Sequence, residues 1–88
     1  MIEVQKQDKN TFLVKVSEGR GSTSHTVTLT DEYHQKLTGG KDDKSRLIEK
    51  SFEFLLEREP KESILRRFEL PVIARYFPEY EKKIGAWL

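Results

Sequence analysis

Ser45-Arg46-Leu47-Ile48-Glu49-Lys50-Ser51-Phe52-Glu53-Phe54-Leu55-Leu56-Glu57 is the stretch on which the reading of this chain turns. Leu47, Ile48, Ser51, Phe52, Leu55 and Leu56 recur at three- and four-residue steps, the spacing that puts side chains on one face of an α-helix. With Phe54 at its margin the apolar arc is wider than half the helix, and Arg46, Glu49, Lys50, Glu53 and Glu57 take the opposite side. A helix apolar over so wide an arc has to be covered from several directions, which makes it the expected central packing element. Asp42, Asp43 and Ser45 are the candidate caps for its start, because a short oxygen-bearing side chain can accept from the free amides of the first turn.

Toward the amino terminus, Gly39-Gly40 stops a shorter helix that opens at Thr30 or Asp31 and runs through Leu37. Before it the period changes from helical to two. Ile2 and Val4 alternate with Glu3 and Gln5; Gln7-Asp8-Lys9-Asn10 supplies turn chemistry; Phe12, Val14 and Val16 then share one face of a second strand. Residues 17–24 read as a flexible polar connection. Val27 and Leu29 alternate with Thr26, Thr28 and Thr30 in a third strand over residues 25–30. In the other direction, Pro60 ends the central helix and opens another, whose buried stripe is Ile64, Leu65 and Phe68, with Glu62 and Arg66 as an i,i+4 ion pair. Pro71 and Pro78 punctuate two short helical turns, residues 71–77 and 78–84.

Strands first and helices after give an α+β fold. The expectation is a three-stranded antiparallel meander in residues 2–30, covered on one face by three to five short helices in residues 31–88. Residues 1–88 read as a single domain, without internal repeat or linker. Leu47, Ile48, Phe52, Leu55, Ile64, Leu65 and Phe68 are expected to meet Val4, Phe12, Val14, Val27 and Leu29.

Composition narrows the possible functions. Sixteen Lys and Arg against fifteen Asp and Glu leave a formal charge of +1, which is not the basic excess of a strongly electrostatic nucleic-acid binder. Zero cysteines exclude disulfides, a thiolate nucleophile and Cys-ligated zinc. The apolar runs are far shorter than the roughly 20 residues of a membrane helix, and the first residues lack the apolar core of a secretion signal, so a cytoplasmic location away from membranes is expected.

The side chains that carry chemistry are thinly spread. Gly39-Gly40-Lys41 with Lys44-Ser45 lacks the spacing of a phosphate-binding loop and places Asp42 and Asp43 where an anion would sit. The two histidines, His25 and His34, are expected as a half-exposed strand residue and a surface helix residue, with no third metal ligand dictated by spacing. No paired carboxylates or Ser-His-Asp pattern stand in an apolar setting, so no catalytic residue, cofactor site or metal site is assigned and an enzyme is not expected. The carboxyl-terminal segment concentrates Tyr76, Phe77 and Tyr80 in five residues with Trp87 following. Protein interfaces favour aromatics and Arg, so Tyr76, Tyr80 and Trp87 are the candidate partner-binding residues, while Phe77 is expected in the core. The leading expectation is a protein-interaction or accessory module that binds another protein, or itself, through a sheet edge or this aromatic end.

Two family resemblances bear on this. Residues 51–68, with Pro71-Val72-Ile73 and Arg75-Tyr76-Phe77-Pro78-Glu79-Tyr80, look like a family of small uncharacterised prokaryotic proteins; the likeness covers the carboxyl-terminal half and implies no particular activity. Thr26-Val27-Thr28-Leu29-Thr30 followed by Ser45-Arg46-Leu47-Ile48-Glu49-Lys50-Ser51-Phe52, a helix opening with Ser-x-Leu-Ile and a small residue three later, is similar to ribbon–helix–helix repressors and antitoxins. That resemblance implies a dimeric DNA-binding regulator in which Thr26, Thr28 and Thr30 face the bases and Ser45, with the amides behind it, holds a phosphate. This chain departs from the family pattern in three respects. The interval from strand to Ser is short, the outward face offers only Thr where bidentate base contacts need Arg, Lys, Asn or Gln, and an upstream hairpin supplies the strand with a partner from its own chain.

Overall fold

Alternation builds the sheet from its first residues. In a computed structural model that describes residues 1–88, β1 (Ile2–Lys6) and β2 (Thr11–Ser17) pair antiparallel, with Val4 opposite Val14. Their turn is held by Asp8, whose Oδ1 accepts from the amides of Asn10 (3.1 Å) and Thr11 (3.0 Å). β3 (Ser22–Thr28) pairs antiparallel with β2 and sets Val27 opposite Phe12. The connection between them is shorter than the polar composition of residues 17–24 suggests. Gly19 (φ 60°) and Gly21 (φ 86°) adopt the left-handed conformations of a tight turn, so the strand begins at Ser22. It also ends earlier than expected, at Thr28, and Thr30 is already the N-cap of α1 (Asp31–Thr38), its hydroxyl accepting from the Tyr33 amide.

The second half departs from the expected helical layer. The 45–57 pattern does form the central helix, α2 (Lys44–Leu56), capped by Asp43, whose Oδ1 accepts from the Arg46 amide at 2.8 Å. Beyond Pro60 the expected third helix is absent. Lys61–Ser63 make a single 3-10 turn, and Arg67–Glu69 form β4, which lies parallel to β3 with Phe68 opposite Val27. The sheet is therefore four-stranded and mixed, in the order β1-β2-β3-β4, where three antiparallel strands were expected. Strand periodicity explains the change: Phe68 points inward and is buried, whereas Arg67 and Glu69 point outward. Leu65, assigned to the buried stripe, is 46% exposed. Glu62 pairs with Lys61 (2.7 Å) and not with Arg66. Two short helices close the chain, α3 (Val72–Tyr76) and α4 (Tyr80–Trp87).

One face of the sheet, with Phe12, Val14, Val16, Val27 and Phe68, is buried together with Leu47, Ile48, Phe52, Phe54 and Leu55 of α2. Leu70, Ile73 and Ile84 complete the core from the carboxyl-terminal segment, and Val4 packs at its margin. The opposite face carries Glu3, Gln5, Lys15, Arg67 and Glu69, all exposed. This is an α+β arrangement of four strands and four α-helices, and no helix is long and apolar enough to cross a membrane.

Candidate functional site

The carboxyl-terminal aromatics fall into two groups. Phe54 of α2 is the hub of the first. Its ring meets Tyr80 (centroids 5.2 Å apart), Phe77 (5.9 Å) and Trp87 (6.2 Å) edge-on, while the Arg58 guanidinium stands 3.6 Å above it. Tyr80 is fully buried. The Ser51 hydroxyl has one hydrogen, which it donates to the Leu47 carbonyl (2.7 Å), so at 2.6 Å it accepts from the Tyr80 hydroxyl. Burial pushes the Tyr80 hydroxyl well above the usual tyrosine range, and the bond to Ser51 opposes that only in part. Tyr80 thus offers no surface to a partner, and Trp87 is half-buried against the core. The missed signal was Phe54, placed at the edge of the apolar arc although it is fully buried.

Tyr76 alone makes the second group, 66% exposed at the end of α3. Together with the exposed Leu65 it flanks a groove of about 170 Å³ floored by Leu55, Ile64, Phe68 and Ile73. A volume of that order holds one benzene-sized group. Glu59 is the one charged residue lining it, and partial burial raises its carboxyl above the ordinary range. The depression continues past Phe68 onto the outer side of β4, where Arg67, Glu69 and Arg75 stand. None of these three side chains forms an ion pair.

β4 is an edge strand. The Thr26 amide donates to the Arg66 carbonyl (2.7 Å), and the Leu70 amide to the Thr28 carbonyl (2.9 Å). The alternation of a parallel ladder gives the bonds between these to Phe68 and turns the peptide groups of Arg67 and Glu69 away from β3. An apolar groove with exposed Leu and Tyr at its rim thus adjoins a strand edge with free donors and acceptors. Of the candidates Tyr76, Tyr80 and Trp87, Tyr76 alone lies at this groove, and Leu65, expected in the buried stripe of a helix, stands at its rim because that helix does not form.

The other candidates lie elsewhere. His25 is 1% exposed, not half-exposed as its strand position implied. Its Nδ1 lies 2.8 Å from the Leu65 carbonyl and its Nε2 2.8 Å from the Thr23 hydroxyl. A carbonyl only accepts, so Nδ1 carries the proton and Nε2 accepts from Thr23 in the neutral ring. Burial lowers the pKa of His25, the Leu65 carbonyl opposes this, and Arg66 lowers it further. His34 bonds through Nε2 to the Asp42 carbonyl and ties α1 to the loop before α2. No three His, Asp or Glu side chains converge in a group able to hold a metal ion.

The residues singled out by the ribbon–helix–helix resemblance are spread over different settings. Thr26 and Thr28 lie on the open face of a strand paired on both sides within the chain, so β3 has no free edge there for a second copy. Thr30 lies outside the strand as a helix cap. Ser45 is in the first turn of α2, whose anion position is filled by the Asp43 carboxylate. Comparison of the chain with protein-family models, with curated proteins and with solved structures finds no match.

Proposed function

We propose that this chain is a non-enzymatic protein-interaction module of the cytoplasm. It takes an extended segment of a partner along the outer edge of β4 and one apolar side chain of that segment in the adjoining groove. The observation that carries this reading is the coincidence of three features: an unpaired strand edge, an apolar hollow sized for a single side chain, and exposed Leu65 and Tyr76 beside both. Strand addition draws affinity from main-chain hydrogen bonds and selectivity from such hollows. Large exposed apolar side chains that converge on one spot mark interaction surfaces more often than isolated ones do. The lining is apolar apart from Glu59 and the hydroxyl of Ser63, which suits capture of a side chain better than chemistry on it.

A displayed library of random peptides, selected against the chain and against Leu65→Arg, tests this. The parent is expected to enrich peptides with an apolar residue inside an extended segment. Leu65→Arg, which keeps the urea midpoint because Leu65 is exposed, is expected to bind them at least about tenfold more weakly. Equal binding by the two proteins, or no enrichment on either, would overturn the proposal.

A further inference from the structure

The outer edge of β4 is complementary to itself. Its free peptide groups belong to Arg67 and Glu69, two residues apart, with Phe68 between them. An antiparallel pairing that engages these groups has three possible centres. Centring on Arg67 sets two guanidiniums face to face, and centring on Glu69 does the same with two carboxylates. Centring on Phe68 places Arg67 of each chain opposite Glu69 of the other, twice. In that register both Arg67–Glu69 pairs are hydrogen-bonded pairs, since their amides and carbonyls already face outward, and all of those groups find partners at once. Opposite charges across a strand pair are favourable and like charges are not. Both side chains are exposed on the same face of β4, and neither has an ion partner within its own chain.

We infer that this edge joins a second copy of the chain: β4 pairs with β4 antiparallel about a two-fold axis at Phe68, and the two sheets become one of eight strands. The inference rests on the docking reading above and names its occupant. A two-fold contact uses the same patch on both partners, which a centred register provides. Three residues of strand are a small contact, and stable interfaces bury on the order of 1,200–2,000 Å² in total. Leu65, Val72 and Tyr76 line the same depression as Arg67, Phe68 and Glu69, so the arriving copy covers apolar surface as well as strand. The opposite edge of the sheet lacks this match. The Met1–Ser17 bonds place the free peptide groups of β1 at Ile2, Val4 and Lys6, and a centred pairing there sets Ile2 against Lys6.

Reversing charges tests the register directly. Sedimentation velocity across the micromolar to millimolar range is expected to show a concentration-dependent dimer for the parent chain. Arg67→Glu creates two Glu–Glu pairs and Glu69→Arg two Arg–Arg pairs, so each variant alone is expected to dimerise roughly tenfold or more weakly. Mixing the two variants restores opposite charges at both positions and is expected to give a heterodimer at parent strength. Far-UV circular dichroism verifies that each variant is folded. Should either substitution disturb β4 itself, a mixed sample of isotope-labelled and unlabelled parent chain decides the matter: an intermolecular contact between the Phe68 Hα atoms supports the register, and its absence overturns it. A parent chain that stays monomeric, or a mixture that does, also overturns the inference. If the parent is monomeric yet peptide capture still depends on Leu65, the docking reading survives and only self-pairing falls.

Discussion

Ser51 and Tyr80 illustrate how one buried hydrogen bond has unequal sides. Replacing Ser51 by Ala removes the acceptor and leaves the Tyr80 hydroxyl buried with nothing to donate to, which costs about 1–3 kcal/mol. Replacing Tyr80 by Phe removes donor and acceptor together, and Ser51 keeps its bond to the Leu47 carbonyl, so the expected loss is about 1 kcal/mol or less. Urea unfolding of the two variants is expected to rank Ser51→Ala as the more damaging, and the reverse order would show that the proton lies the other way. Sequence alone could not supply this pair. Ser51 reads as a small residue on an apolar arc and Tyr80 as an interface aromatic, and only the packing of α4 on α2 joins positions 29 apart. Tyr76 carries the same composition signal in the sequence as Tyr80, and only the fold separates them, leaving Tyr76 66% exposed at the end of α3.

Among the elements, α2 was legible almost to its ends, because a wide apolar stripe and capping residues act within the segment itself. Its cap gives a clean test. Asp43→Ala is expected to cost about 1 kcal/mol, while Ser45→Ala, which removes no cap bond, should leave the urea midpoint nearly unchanged. β4 was not legible for the opposite reason. Ile64, Leu65 and Phe68 fit helical spacing, and nothing within three residues of strand outweighs that fit. What selects the strand is β3, far away in sequence, which supplies the partner peptide groups. Pro71 disfavours helical geometry at Leu70 and so limits how far a helix opened at Pro60 can run, but the interval is long enough for helices of the length of α1 or α4 and does not by itself select a strand. Because β4 was missed, so was the groove, whose floor includes Phe68 and whose rim includes Leu65.

For the molecule as a whole, His25 couples acidity to stability. It lies between the Thr23 hydroxyl of its own strand and the Leu65 carbonyl beside the groove, with Phe52 of α2 at a ring distance of 5.4 Å and Arg66 as the facing charge. Its folded pKa lies below that of the unfolded chain, about 6.5. Between the two values the unfolded chain binds more protons, so stability rises with pH across that window. The contribution is complete above about pH 6.5 and is lost as the pH falls toward and through the folded value. Urea midpoints measured from pH 7.5 downward are expected to fall on acidification, and His25→Gln should flatten the part of that fall that lies above the carboxylate range. An unchanged slope in the variant would assign the acid sensitivity to other groups.

The seating of the last helix has a consequence for anyone who studies this chain by optical methods. Trp87 is the sole indole and rests on Phe54, the hub that also holds Phe77 and Tyr80. Its emission therefore reports the contact between the end of α4 and α2, a built-in, label-free gauge of that part of the core while the sheet is followed by other means.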